Sequence, residues 1–182
     1  MLKFNSGILA LQEKKFEKGV EVANELLERH PENWRYHRLQ SECLFELGLF
    51  DDALTSVEKS FYYYPTASTA QLQAKILLGQ RNFKGALEVT KIAVEMEPSD
   101  HVKQFYADIM VMNGNNVEAA DEYSSLLEST PSTDLRMKRG KCFYEIHDYE
   151  DALVDFIAVH KEKPSNETRL GFECMFRVNN SS

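Results

Sequence analysis

Apolar residues recur every three or four positions along most of the chain, in short segments that polar breaks separate. This spacing puts them on one side of an α-helix and predicts amphipathic helices instead of strands. The segments come in pairs, so we expect antiparallel helix pairs. The predicted pairs cover residues 2–14 with 17–30, 33–47 with 50–63, 67–80 with 83–96, 99–113 with 116–129, and 132–146 with 149–162. A last helix is predicted at 166–178, followed by a tail at 179–182.

The chain holds five prolines, and they are evenly spaced at intervals of 34, 33, 33 and 33 residues. They are Pro31, Pro65, Pro98, Pro131 and Pro164. Each follows the second helix of a predicted pair and can end it, because proline pushes the preceding residue out of the α region. A fixed period of this length indicates a repeat array with one helix pair in each repeat.

Two positions of the repeat hold a small residue every time, which is what closely crossing helices require. Twelve residues before the prolines stand Gly19, Ala53, Ala86, Ala119 and Ala152. Twenty-four residues before them stand Gly7, Ser41, Ala74, Ala107 and Gly140. A third position, fifteen residues before the proline, is aromatic in four repeats, and its side chain should fill the wedge between the paired helices. It holds Phe16, Phe50, Phe83, Asn116 and Tyr149, so we expect repeat four to be the least tightly wedged.

Short polar residues and glycines mark the predicted helix starts and turns. A serine that can cap the next helix follows three of the prolines, at Ser99, Ser132 and Ser165. Second helices would be capped by Asn82, Asn115 and Asp148. Gly48 and Gly114 fit the turn inside the pair, which lies about 17 residues before the proline.

With these columns in place, the unit resembles the tetratricopeptide repeat (TPR), a helix–turn–helix of about 34 residues. The match is best at residues 42–53, in the repeat that ends at Pro65, and at residues 140–152, in the repeat that ends at Pro164. The resemblance covers five repeats, at about 1–33, 34–66, 67–99, 100–132 and 133–165. It implies an all-α fold: an α-solenoid of antiparallel helix pairs, or TPR-like superhelix, forming a single domain over 1–178 with 166–178 as its C-terminal capping helix.

The same resemblance implies a non-catalytic interaction scaffold or adaptor that binds a protein or peptide segment in a concave groove. In TPR proteins the first helix of each pair lines that groove. The corresponding residues here are Phe4, Ile8, Leu11, Arg35, Arg38, Glu42, Gln71, Lys75, Gln104, Asp108, Lys141 and Tyr144. An apolar N-terminal end and a mixed polar remainder suit a peptide with apolar anchors.

The apolar stripe of Phe4, Ile8 and Leu11 leaves an alternative open. An exposed stripe usually has a cover, which could equally be a missing neighbouring helix or a second chain. The chain could therefore be an assembly module of a larger complex, or a homodimer through this stripe. A chaperone for secreted bacterial proteins is a further alternative, which no residue selects.

Charge and composition limit which classes of partner and which cellular compartment we expect for this chain. The formal charge of −8 and a pI of about 5.2 argue against a nucleic-acid partner, because proteins that bind nucleic acids usually carry an excess of basic residues. Repeat four, residues 100–132, has Lys103 as its one basic residue and carries most of this charge. Three cysteines favour a reducing compartment, and no long apolar run or signal peptide is evident. We therefore expect a cytoplasmic protein that does not insert into a membrane.

The chain offers little catalytic chemistry. Its five histidines form no pair with metal-ligand spacing, and no glycine-rich phosphate loop is present. Cys43 and Cys142 occupy equivalent positions among apolar neighbours and should be buried and inert. We therefore expect no enzyme activity, no catalytic residue, no cofactor and no metal site. In the aromatic run 61–64, Tyr62 is the residue expected to be an exposed contact.

Overall fold

The computed structural model describes residues 2–162 of the 182-residue chain. Over this range the chain forms helices and no strand. The helices are α1 (Leu2–Gln12), α2 (Phe16–Arg29), α3 (Trp34–Glu46), α4 (Phe50–Tyr63), α5 (Ala67–Gly79), α6 (Phe83–Met96), α7 (Asp100–Met112), α8 (Asn116–Ser129), α9 (Thr133–Glu145) and α10 (Tyr149–Glu162). They confirm the ten helices predicted in this range. The predicted capping helix at 166–178 and the tail at 179–182 lie outside the described residues.

The chain divides into two compact units, an N-terminal unit (residues 1–98) and a C-terminal unit (residues 99–182). In the N-terminal unit each helix from α1 to α6 packs against the next, and the first helices of neighbouring pairs also touch, α1 with α3 and α3 with α5. In the C-terminal unit α7 packs on α8, α8 on α9 and α9 on α10. Packing between neighbours is what a repeat array uses to build its core. The single domain over 1–178 stays a prediction.

Each unit has an apolar core where its helix pairs meet. In the N-terminal unit one cluster contains Leu44, Ala53, Val57, Leu72 and Ile76, which come from α3, α4 and α5. In the C-terminal unit Met137, Ala152, Phe156 and Val159 join α9 to α10. The apolar stripes read from the sequence therefore face neighbouring helices.

All ten residues of the two small columns are buried. In repeat two the columns touch directly, since the Ser41 hydroxyl donates a hydrogen bond of 2.8 Å to the carbonyl oxygen of Ala53. In repeat one a Cβ added to Gly19 would lie 2.4 Å from the Cys43 sulfur. Larger side chains have no room at these crossings, which is the physical reason for the repeat of small residues.

The turn inside each pair has one residue with positive φ, always seventeen residues before the proline. These residues are Lys14 (φ 58°), Gly48 (φ 74°), Arg81 (φ 60°), Gly114 (φ 85°) and His147 (φ 67°). Left-handed backbone ends a helix and is easiest for glycine. Glycine stands at only two of the five positions, so the repeat imposes the turn whichever residue is there.

Side-chain caps form at some of the predicted positions only. Asn82 Oδ1 accepts a hydrogen bond from the backbone N–H of Gly85 at 3.0 Å, and Asp148 Oδ1 accepts one from Asp151 at 3.3 Å. Asn115 makes no capping bond. The prediction was also wrong for Ser99 and Ser132, which stand at the N-cap without a side-chain cap bond. Their carbonyl oxygens instead accept the first helical hydrogen bonds. Ser165 lies outside the described residues.

The two asparagines form a matched pair for a capping experiment. Asn82→Ala should lower the free energy of unfolding by about 1 kcal/mol, because it removes an N-cap bond. Asn115→Ala, at the equivalent position of repeat four, should cost less than about half of that, since no cap bond is lost. Urea unfolding followed by circular dichroism measures both. Equal losses in the two variants would show that the Asn82 bond does not stabilise α6.

Candidate partner-binding surfaces

The first helices of the N-terminal unit, α1, α3 and α5, form a surface with two hollows, called here the A-face. The first hollow has a volume of about 320 Å³. Its lining is Phe4, Ile8, Trp34, Arg35, Arg38, Leu39 and Glu42. The second measures about 410 Å³. Its lining is Leu11, Gln12, Lys14, Phe16, Glu42, Phe45, Glu46, Leu72 and Lys75. The structure thus brings together the sequence-predicted groove residues of α1 and α3 and adds Lys75. Gln71 is half-buried and lies in neither lining.

The apolar stripe on α1 packs partly into the unit itself. Phe4, Ile8 and Leu11 are half-buried and contact a cluster that contains Leu39 and Cys43. The Phe4 ring also lies 5.4 Å from that of Tyr36, centroid to centroid. The helix α3 of the same unit therefore covers part of this stripe. The homodimer through this stripe stays a prediction.

Charged groups stand over the apolar floor of the A-face. The Arg38 guanidinium donates through Nε to Glu42 Oε1 at 2.8 Å, one helical turn away. Arg35 lies above the indole ring of Trp34, 5.2 Å from its centroid. Lys75 is exposed. This rim offers donors and acceptors of both signs beside apolar walls.

In the C-terminal unit the predicted residues have different roles. Asp108 accepts hydrogen bonds from the Tyr123 hydroxyl at 2.6 Å and from Lys138 Nζ at 2.9 Å and 3.0 Å. Burial, followed by this bond to Asp108, raises the pKa of Tyr123. Asp108 thus ties α7 to α8 and α9. Gln104 is half-buried.

The other predicted residues of this unit, Lys141 and Tyr144, line a hollow of about 390 Å³. Val111, Asn116, Cys142 and Glu145 complete its lining. The hollow is called here the Asn116 pocket. The side-chain oxygen Oδ1 of Asn116 is buried and has no hydrogen-bond partner in the structure.

A surface that sequence reasoning largely missed lies on the other side of α3. His37 and Gln40 are more than a quarter turn away from Arg38 and Glu42 around this helix. They line a hollow of about 620 Å³ that includes Tyr62, whose side chain is 82% exposed as expected. His37 is buried, stacks on Tyr63 at 5.7 Å, and has its pKa lowered by burial. The run of aromatic residues at 61–64 was the available signal.

The two equivalent cysteines are buried, as the sequence indicates, and neither is in a disulfide. Burial raises the pKa of Cys43 and that of Cys142 to about 11 in each case. Both thiols are therefore protonated at neutral pH and poor nucleophiles. Among residues 2–162 no cluster of histidine, cysteine and carboxylate groups could hold a metal ion. Within the same range no helix has the length and apolarity needed to span a membrane.

Comparison with known proteins agrees with this architecture. A family model described as tetratricopeptide repeat matches residues 4–65. Residues 4–65 of the chain are therefore similar in sequence to the tetratricopeptide repeat. TPR proteins are generally non-catalytic interaction modules, and the fold supports a protein–protein interaction scaffold in general terms. No curated protein sequence matches the chain.

Solved structures share the TPR fold at low sequence identity. YrrB, a TPR protein with an unusual peptide-binding site, is 16% identical with a TM-score of 0.81, covering 94% of this chain and 90% of its own. MamA is 13% identical with a TM-score of 0.79, covering 89% and 90%. A chain of Naa15/Naa10 bound to HypK-THB is 14% identical with a TM-score of 0.66; 90% of this chain corresponds to 25% of that one. At these identities the likeness shows the fold alone.

Proposed function

We propose that this TPR protein binds an extended or helical peptide segment of a partner protein on the A-face. The observation that carries the proposal is the pair of hollows on α1, α3 and α5, which share Glu42 in their linings. Because the hollows adjoin, one peptide segment can place apolar side chains in both.

The chemistry of the A-face supports such a ligand. Ile8 and Phe4 in the first hollow, and Leu11 and Phe45 in the second, provide apolar walls. Lys75 at the rim supplies N–H donors, which backbone carbonyls of an extended or helical segment can accept. YrrB shares the fold and has a peptide-binding site, so a TPR array of this kind can bind peptides.

A charge reversal on the A-face tests the proposal. Peptides are first selected against the chain from a phage-displayed random library, and their Kd is measured by fluorescence anisotropy. The double variant Arg38→Glu, Lys75→Glu should weaken binding at least tenfold, because it reverses the rim charge. Its melting temperature should stay within a few degrees of the parent, since the partly exposed Arg38–Glu42 ion pair that it breaks contributes only about 0.3–0.5 kcal/mol.

The matched control reverses two lysines away from the A-face. Lys59 lines the hollow on the other side of α3, and Lys91 is exposed on α6. Lys59→Glu with Lys91→Glu changes the net charge equally and should leave Kd within twofold. Unchanged affinity in the A-face variant would contradict the proposal, as would an equal loss in the control.

A further inference from the structure

Charge in the N-terminal unit is divided unequally between the two kinds of helix. The first helices α1, α3 and α5 hold four lysine and arginine residues against two glutamates. The second helices α2, α4 and α6 hold five lysine and arginine residues against nine aspartates and glutamates. The first helices, which form the A-face, therefore carry a basic excess on a chain whose formal charge is −8. A local field of this sign attracts anionic groups of a ligand.

Three cations in the linings of the two hollows are exposed and form no ion pair within residues 2–162. They are Lys14, Arg35 and Lys75. The linings also contain two glutamates. Glu42 already accepts the Arg38 guanidinium at 2.8 Å, so Glu46 is the carboxylate that remains to offset the three cations. The A-face thus has positive charge that the chain itself does not neutralise.

Each hollow places one of these cations beside an apolar wall. Arg35 lines the first hollow together with Ile8, and its guanidinium lies over the Trp34 ring at 5.2 Å. A guanidinium on a ring face keeps its N–H groups free at the edge, where a carboxylate can accept two of them. Lys75 lines the second hollow together with Leu72. A ligand that fills both hollows therefore meets a cation next to each of its apolar side chains.

We propose that the segment bound on the A-face is an acidic one, whose apolar side chains enter the two hollows and whose neighbouring Asp or Glu residues pair with Arg35 and Lys75. This inference rests on the proposed function and names the chemistry of its partner. The carboxylates belong to side chains, so the segment can be internal to the partner and needs no free C-terminus. The overall charge of the chain predicts the opposite preference, for a basic peptide, so the sign of the peptide charge decides between the two.

A synthetic peptide library on beads tests the sign of the charge. Apolar positions hold Leu, Ile or Phe, and the positions between them hold Glu, Gln or Lys in equal shares. Each peptide is acetylated at its N-terminus and joined to the bead by its C-terminus, so no terminal charge contributes. Among beads that capture the full chain, we expect Glu to be enriched at least threefold over both Gln and Lys. Enrichment of Gln or of Lys would overturn the inference.

Mapping the selected peptides onto the ¹⁵N-labelled chain separates this inference from the proposed function. Backbone shifts on α1, α3 and α5 together with Glu enrichment support both. Shifts on these helices without Glu enrichment would overturn the acidic partner and leave peptide binding on the A-face standing. Shifts elsewhere would contradict the proposed function, and the acidic partner of the A-face with it.

A charge-removing double variant locates the contacts of the peptide carboxylates. Fluorescence anisotropy gives the Kd of one selected peptide and of an analogue in which every Glu is replaced by Gln. The analogue should bind the parent chain at least tenfold more weakly. In Arg35→Gln, Lys75→Gln the two peptides should bind within twofold of each other, since the cations are gone. The control Lys59→Gln, Lys91→Gln should keep the tenfold preference. A preference that persists in the A-face variant, or that vanishes equally in the control, would overturn the assignment.

Discussion

Replacement of Asp155 by alanine is expected to lower the free energy of unfolding by about 3–5 kcal/mol, the usual cost of breaking a buried ion pair from one side. Asp155 on α10 is fully buried. Its two carboxylate oxygens accept hydrogen bonds of 2.8 Å each from Nε and Nη2 of Arg139 on α9. The same guanidinium donates to the Ser124 hydroxyl of α8 at 3.0 Å. The Arg139 side chain thus links three helices of the C-terminal unit, α10 through the ion pair and α8 through the Ser124 hydrogen bond.

The large expected loss of stability arises because Asp155→Ala leaves the Arg139 guanidinium without its carboxylate partner. The side chain of Arg139 is only 21% exposed, and its hydrogen bonds with Asp155 raise its pKa. Without the carboxylate, a permanent cation stays in a poorly solvated place. Arg136 Nη1, 3.9 Å from Asp155, loses the same neighbour.

Urea unfolding followed by circular dichroism measures this prediction. Asp121→Ala, an exposed aspartate on α8, is the matched control and should change stability by about 0.5 kcal/mol or less. The double variant Asp155→Leu, Arg139→Met should recover most of the loss, because apolar residues of similar size can replace a buried pair. A cost below about 1 kcal/mol for Asp155→Ala would mean that the pair does not hold the unit together.

Enlarging a residue of the small columns should have the next largest effect. Ala53→Leu is expected to cost about 2–3 kcal/mol, because overpacking a filled core forces neighbouring groups to move. Ala53 has no exposed surface, and its carbonyl oxygen accepts the Ser41 hydroxyl at 2.8 Å. Added atoms would push α4 away from α3 and break that bond.

Thermal unfolding of Ala53→Leu and of Thr55→Leu distinguishes the effect of a larger side chain at the α3–α4 crossing from its effect elsewhere on α4. Thr55 is exposed two residues further along α4, so the same side chain there should change stability by about 0.5 kcal/mol or less. Similar melting temperatures for the two variants would contradict the claim that the small columns mark helix crossings.

The fold could be predicted because the same packing and backbone constraints recur at equivalent positions of every repeat. A small residue recurs at Ala53 and its equivalents because a backbone passes there, and a left-handed turn recurs even where Arg81 replaces glycine. Such positions carry the same constraint in every repeat, so five copies in one sequence reveal it. Helix bounds followed from the same register.

Pairings between particular side chains could not be predicted in this way. Asp155 is a charged residue that the pattern places on a helix without indicating its partner, since Arg139 approaches from the preceding helix. Asp108 was assigned to the groove by register, yet Lys138, from the next repeat, binds it. The unpaired oxygen of Asn116 likewise depends on which neighbours surround it.

Mapping a selected peptide onto the ¹⁵N-labelled chain tests the central claim, peptide binding on the A-face, most directly. The account predicts that the largest backbone shifts lie on α1, α3 and α5, at and around Ile8, Arg38 and Lys75. Shifts concentrated instead at Thr55, Lys59 and Tyr62 would contradict it and assign binding to the other side of α3.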